Sequence, residues 1–252
     1  MFGPLAHLKD TRENKYALQL ALYRRILESE AYGLDVEACR LARFDASGGP
    51  NVQMIEVPYF RREANLLLWN ALTNRGSAVG FDRDARVTFD EASHRYRVQG
   101  DDGVWRPVAK SVTGIVSSYA PPFVAEEVIA RMKAGRNWGP DNKYWGKSDS
   151  EITAMWNAAA NLGTAVHNQI ESYYKSQSKS PPENVHPGFE TFWSWATEEG
   201  YEPVRSEWPV HCGLVAGTVD MVYRTPDGKY VIVDWKVTDK PFFGDNIGSP
   251  LV

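Results

Sequence analysis

Residues 207–236 read EWPVHCGLVAGTVDMVYRTPDGKYVIVDWK, and the rest of the chain is organised around them. Residues 207–211 read as a short strand. Residues 215–224 and 229–237 are rich in β-branched and aromatic side chains, and read as the arms of a hairpin closed by Pro226-Asp227-Gly228. A three-residue loop with Gly last suits a type I turn followed by a left-handed residue. If Thr225 faces Lys229, counting back sets Asp220 directly opposite Asp234. Like charges facing one another across strands are destabilising, so a sheet with no further task would avoid them. Asp234 and Lys236 are two apart and share a face, while Trp235 points the other way. Two carboxylates and an ammonium therefore meet at one spot. A divalent cation needs such oxygen ligands, and a developing anion needs a positive charge nearby.

The same charges would also suit the solvated face of a surface hairpin, so the decision rests on the rest of the chain. At 252 residues it is long enough for one well-buried domain. A net charge of −4 argues against a protein held to nucleic acid by bulk electrostatics, but not against an acidic centre offset by metal with basic residues along one channel. Two cysteines, Cys39 and Cys212, are too few for a disulfide framework, a four-thiolate zinc site or an iron–sulfur cluster, and read as core thiols. There is neither an apolar run of membrane-spanning length nor a basic-then-apolar leader, so the expectation is a soluble intracellular protein with no membrane partner.

Residues 15–32 read as a helix capped by Asn14 and ended by Gly33, with Tyr16, Leu20, Tyr23 and Leu27 as its apolar stripe; Gln19 shares the Tyr23 face. Residues 38–44 and 52–60 read as strands, 61–72 as a short amphipathic helix, and 74–85 as an internal linker. Residues 86–98 suggest a hairpin, followed by a strand at 104–108, a capped helical turn at 111–119 and a helix at 124–134. The loop at 136–147, RNWGPDNKYWGK, interleaves cations and aromatics, which suits stacking on unpaired bases or an aromatic lid. Ser148 and Glu151 resemble a capping box opening a long helix to Tyr174. Its inner side carries Ile152, Met155, Trp156, Ala159, Val166, Ile170 and Tyr173, and Gly163-Thr164 is expected to interrupt it. His167 and Glu171, four apart beside that break, share a face and form a candidate metal pair. Residues 186–199 read as a Trp-rich helix that must pack.

Together these residues resemble the PD-(D/E)XK nuclease superfamily, in its RecB-like, lambda-type exonuclease branch, which includes viral, phage and mitochondrial genome maintenance exonucleases. Gly163-Thr164-Ala165-Val166-His167-Asn168-Gln169-Ile170-Glu171 is similar to the family's G-T-x-x-H-x-x-I-E helix, Ala216-Gly217-Thr218-Val219-Asp220 to its second motif, and Asp234-Trp235-Lys236 to its D/E-x-K motif. Gln19-Leu20-Ala21-Leu22-Tyr23 is similar to the Q-x-x-x-Y motif of the exonuclease branch. In the family that helix follows D-x-K, whereas here it precedes everything. A circular permutation, natural or engineered, accounts for this if the termini lie close together. The alternative is a swapped dimer in which the first segment completes a neighbour's site; a permuted monomer is preferred.

The resemblance implies an α/β restriction-endonuclease-like core, a central mixed sheet flanked by helices, in a single domain. Residues 1–73 would be the permuted half, 86–147 a hairpin and helical accessory region, and 148–252 the catalytic core. It implies that His167, Asp220, Asp234 and the Trp235 carbonyl hold Mg²⁺ or Mn²⁺; the four cysteines that some relatives use for an iron–sulfur cluster are absent here, so none is expected. Lys236 would orient the attacking water and steady the transition state, and Glu171 and Glu207 would assist through water or a second ion. Gln19, Tyr23 and Thr164 would contact the substrate, which is DNA, at ends or as single strands, in repair, recombination or replication. A silent nucleic-acid-binding scaffold and a structure-specific endonuclease are the rivals.

Overall fold

The computed structural model describes residues 1–29, 32–44, 52–72, 86–90, 93, 95–100, 102–176, 185–198, 201–213 and 215–238. The side chains of residues 69–72 and 197–198 lie outside that description. So do the expected linker at 74–85 and residues 239–252, whose closeness to the first residues the permutation reading requires.

In chain order a 3₁₀ turn at Gly3–Leu5 leads into α1 (Arg12–Leu27), β1 (Val36–Phe44), β2 (Gln53–Glu56), α2 (Arg61–Leu72), β3 (Val87–Asp90), β4 (Arg95–Gln99), β5 (Trp105–Pro107), β6 (Lys110–Ser111), α3 (Val112–Ser117), α4 (Ala125–Ala134), α5 (Asp149–Lys175), α6 (Pro187–Glu198), β7 (Glu202–Cys212), β8 (Val215–Arg224) and β9 (Tyr230–Val237). The protein is α/β, with a six-stranded mixed sheet flanked by helices. Its order is β2-β1-β9-β8-β6, with β7 on the other edge of β8; β1 runs parallel to β9, and β8 antiparallel to both β7 and β9.

β9 is buried on both faces, which explains its nearly unbroken apolar run. Ile232 faces a core formed with α1, α2 and α3. Val231, Val233 and Trp235 face a second core with α5 and α6, where the Trp235 ring meets Phe44, Phe192 and Trp195 at centroid distances of 5.7, 5.4 and 5.8 Å. A small antiparallel sheet, β3-β4-β5, leans on β8 through Val87, Val98 and Ala216.

Several expected features differ. Thr11, not Asn14, caps α1: its hydroxyl accepts from the Asn14 N–H at 3.1 Å, while the Asn14 side chain donates to the Lys9 carbonyl. The helix ends at Leu27 rather than Tyr32, because the Ser29 hydroxyl takes the Ile26 carbonyl and Gly33, at φ +63°, turns the chain back. Nor is α1 amphipathic. It is buried nearly all round, as a helix sandwiched between a sheet and two others must be.

α5 is unbroken through Gly163-Thr164: the Thr164 hydroxyl donates to the Ala160 carbonyl within the helix, and nothing approaches Gly163. Of its expected inner side only Ile152, Val166 and Ile170 are fully buried. Met155 and Ala159 are exposed. β7 begins five residues earlier than expected, its polar first half paired to β8 across an irregularity between Pro203 and Arg205.

Candidate active site

The hairpin forms as its turn chemistry dictates. Thr225 N–H donates to the Lys229 carbonyl at 2.9 Å, and Gly228 takes φ +84°. The β8–β9 ladder runs from Arg224↔Tyr230 to Met221↔Val233, so Asp220 and Asp234 are next in register, just past the last pair. There the Asp220 carboxylate replaces the ladder partner: its Oδ2 accepts from Trp235 N–H at 3.0 Å.

On the other edge, Ser206↔Met221 and Trp208↔Val219 bracket Glu207, which therefore stands opposite Asp220. Glu207, Asp220 and Asp234 form a row across three strands. Glu207 has φ +42°, the one positive φ outside glycine among the described residues. That conformation costs roughly 1–2 kcal/mol for an L-residue, and the pairs on either side hold it.

α5 brings His167 over this row. Nε2 lies 2.9 Å from the Trp235 carbonyl oxygen, which can only accept, so Nε2 carries the proton. Nδ1 is thereby turned to the acids, 3.6 Å from Asp220 Oδ2 and 3.8 Å from Glu207 Oε1. One donor atom from each of His167, Glu207 and Asp220 lies within 4.8 Å of the other two. One nitrogen and two carboxylate oxygens so close together fit a single divalent transition-type cation, and Mg²⁺ less exclusively.

Three residues stand differently from the expected set. Asp234 does not join this group but ion-pairs with Lys236, Oδ2 to Nζ 2.6 Å. The Trp235 carbonyl serves as the acceptor that orients His167. Glu207, expected only in support, stands with the nitrogen donor instead, because the register of β7 puts it there. Lys236 Nζ also sits 4.7 Å from the Tyr16 ring centroid. Glu171 lines the cleft yet is ion-paired to Lys175 one turn on.

The cleft beside the row has a volume of about 600 Å³. Gln19 and Tyr23 from α1 line one wall. Thr164 and His167 from α5 and Phe89 and Tyr96 from the small sheet line others. Tyr23 fits because position 217 is glycine: a Cβ there would lie 2.6 Å from the ring. The helix carrying Gln19 and Tyr23 belongs to the same chain as the carboxylates it faces.

The charges are strongly interdependent. Burial pushes the Asp220 carboxyl up, against the pull of Lys236 and His167. Burial likewise raises Asp234, to about 6, with Lys236 opposing and Asp220 reinforcing. For His167, burial favours the neutral ring, but Glu207 and Asp220 outweigh it and the net shift is upward. Burial also opposes the Lys236 charge, and Asp234 and Asp220 prevail. Burial pushes the Tyr23 hydroxyl well up, so it stays protonated and able to donate. Three carboxylates share one lysine and one histidine, and added positive charge would relieve them.

Sequence reasoning passed over Tyr16 and Tyr96. Tyr16 lies seven residues, about two turns, before Tyr23 on α1, so helical spacing alone places it on the site face. Tyr96 alternates with Val98 toward β8, and its hydroxyl lies 2.8 Å from Thr218 Oγ1. No protein-family model matches this chain, and neither does any curated protein or solved structure.

Proposed function

We propose that this chain is a metal-dependent nuclease that hydrolyses DNA phosphodiester bonds, acting from ends or on single strands. On this reading its sheet is a restriction-endonuclease-like core with the Q-x-x-x-Y helix permuted to the N-terminus. The observation that carries the reading is the row Glu207–Asp220–Asp234, with His167 over one end and the Lys236 ammonium 2.6 Å from Asp234 at the other. Structural sheets have no use for three adjoining carboxylates, whereas phosphodiester hydrolysis does.

His167, Glu207 and Asp220 would hold Mg²⁺ or Mn²⁺, which supplies Lewis acidity toward a phosphate oxygen and toward water. The chain's own groups do the rest. Asp234 and the Tyr16 ring fix the Lys236 ammonium at the cleft wall, where it donates to a non-bridging phosphate oxygen as negative charge grows there. Trp235 N–H and its carbonyl lock Asp220 and His167 in orientation. Gln19 and the protonated Tyr23 hydroxyl offer neutral donors to the sugar-phosphate backbone without adding to the acidic charge.

The test is digestion of end-labelled single- and double-stranded linear DNA, and of covalently closed DNA, with Mg²⁺ or Mn²⁺. Wild type should degrade the linear forms and spare the closed one. Lys236→Ala should be slower by at least about 100-fold, the scale of losing one transition-state donor, and Asp234→Asn, which frees that ammonium from its anchor, should also be slower. Equal digestion by all three proteins would end the proposal.

A further inference from the structure

Away from the cleft, the hairpin of α4 and α5 carries rings that no core claims. Phe123 is 71% exposed and Trp145 48%. Trp156 joins Phe123 to Tyr144, with centroids 5.8 and 6.1 Å away, and donates its Nε1–H to the Tyr144 hydroxyl at 3.0 Å. Trp138 packs on Trp145 at 5.6 Å. None of these rings belongs to the buried clusters of the described residues. Two ring groups, each with one exposed member and brought next to each other by the Tyr144-Trp145 step, mark a candidate interaction site.

Cations are set among the rings. Lys143 Nζ lies 5.2 Å from the Tyr144 ring centroid, and Lys133, which also pairs with Asp149, lies 5.7 Å from Trp138. Between residues 133 and 147 stand Lys133, Arg136, Lys143 and Lys147 against Asp141, while the flanking helices add Arg131 and the acids Glu126, Glu127, Asp149 and Glu151, so the positive excess is confined to the loop. The exposed side of α5 leads from here toward the cleft, where Ala159, Ala160 and Gly163 line the wall before His167. At 1.5 Å per residue, Trp156 and His167 are about 16 Å apart along the axis.

From this juxtaposition of two exposed rings on half-buried ones, a basic loop and a helix face running to the acidic row, we infer that the α4–α5 hairpin is a stacking platform for single-stranded nucleic acid. Flat rings recognise base faces, which are available only where bases are unpaired; the cations take the phosphates. A duplex hides those faces. Protein interfaces use aromatic rings too, so it is the ammonium groups beside these rings that favour a polyanion. As the feeder of the cleft, the platform rests on the nuclease reading; as a binding surface it stands apart from it.

Fluorescence anisotropy without divalent ions tests it, using a labelled DNA single strand, the matching RNA and a blunt duplex. Both single strands should bind more tightly than the duplex, and the DNA and RNA arms show which backbone is favoured. Trp145→Ala should weaken single-strand binding about 5- to 150-fold, with most of the loss restored in Trp145→Tyr, since one base–aromatic stack is at stake. The double variant Lys143→Ala/Lys147→Ala should instead flatten the salt dependence. Unchanged binding by Trp145→Ala, preference for the duplex, or Trp145-dependent self-association without oligonucleotide binding would overturn the platform. If Lys236-dependent hydrolysis persists alongside such a result, only the platform falls. Trp145-dependent binding with no hydrolysis would sustain the platform and remove the nuclease reading.

Discussion

At the scale of single residues, the site turns on how Lys236 is held. Its ammonium lies between the Asp234 carboxylate and the Tyr16 ring. A cation over a desolvated ring gains about 0.5–2 kcal/mol. Tyr16→Phe keeps the ring face and should leave kcat near wild type. Tyr16→Ala should lower kcat about 2- to 30-fold with little change in KM; equal loss in both variants would point to the hydroxyl instead. Asp234 also sets a pH dependence. Its folded value, about 6, lies above the 3.8 of a free carboxylate, so the folded chain keeps a proton that the unfolded chain has lost. That contribution is full below 3.8 and is lost as pH rises through about 6. Metal-free protein should therefore lose on the order of 2 kcal/mol between about pH 4 and pH 7.5 through this residue. Asp234→Asn should show a flatter profile in denaturant melts. Parallel profiles for the two proteins would refute the assignment.

At the scale of elements, what could be read from sequence followed locality. The β8–β9 hairpin was legible to the residue because Pro226-Asp227-Gly228 sets loop length, loop length sets register, and register sets Asp220 beside Asp234. α2 and the Ser148 capping box were legible for the same local reasons. Glu207's place was not, since it depends on the pairing of β7 with β8 and on a backbone angle that no propensity favours in glutamate. Nor was the continuity of α5, because glycine is as compatible with an exposed helix face as with a break. Asp234's turn toward Lys236 is a choice between two partners on one face, which periodicity does not distinguish. One local signal has a non-local consequence. Gly217→Ala places a Cβ 2.6 Å from the buried Tyr23 ring and 3.1 Å from Val112, neither with room to retreat. The variant should lose about 1–3 kcal/mol, the usual cost of overpacking, and turn over more slowly as Tyr23 shifts. Wild-type stability and kcat would show the contact to be looser than described.

At the scale of the whole molecule, the site is assembled from opposite ends of the chain. α1 supplies Gln19, Tyr23 and Tyr16; α5 supplies His167; β7, β8 and β9 supply the carboxylates and the lysine. The sheet makes this possible by running β1 parallel to β9, so that α1 and the elements after it cover the same strands that carry the acids. No helix among the described residues is long and apolar enough to cross a membrane.

The assembly has one purpose on this account: to hold a doubly charged ion between His167, Glu207 and Asp220 beside Lys236. Electron paramagnetic resonance of Mn²⁺ titrated into the protein tests that most directly. Wild type should bind one ion per chain. Asp220→Asn and Glu207→Gln should each weaken binding by at least about tenfold, roughly 1.4 kcal/mol, while Glu171→Gln should bind as wild type does. Identical Mn²⁺ binding by all four proteins, or none by wild type, would contradict the account.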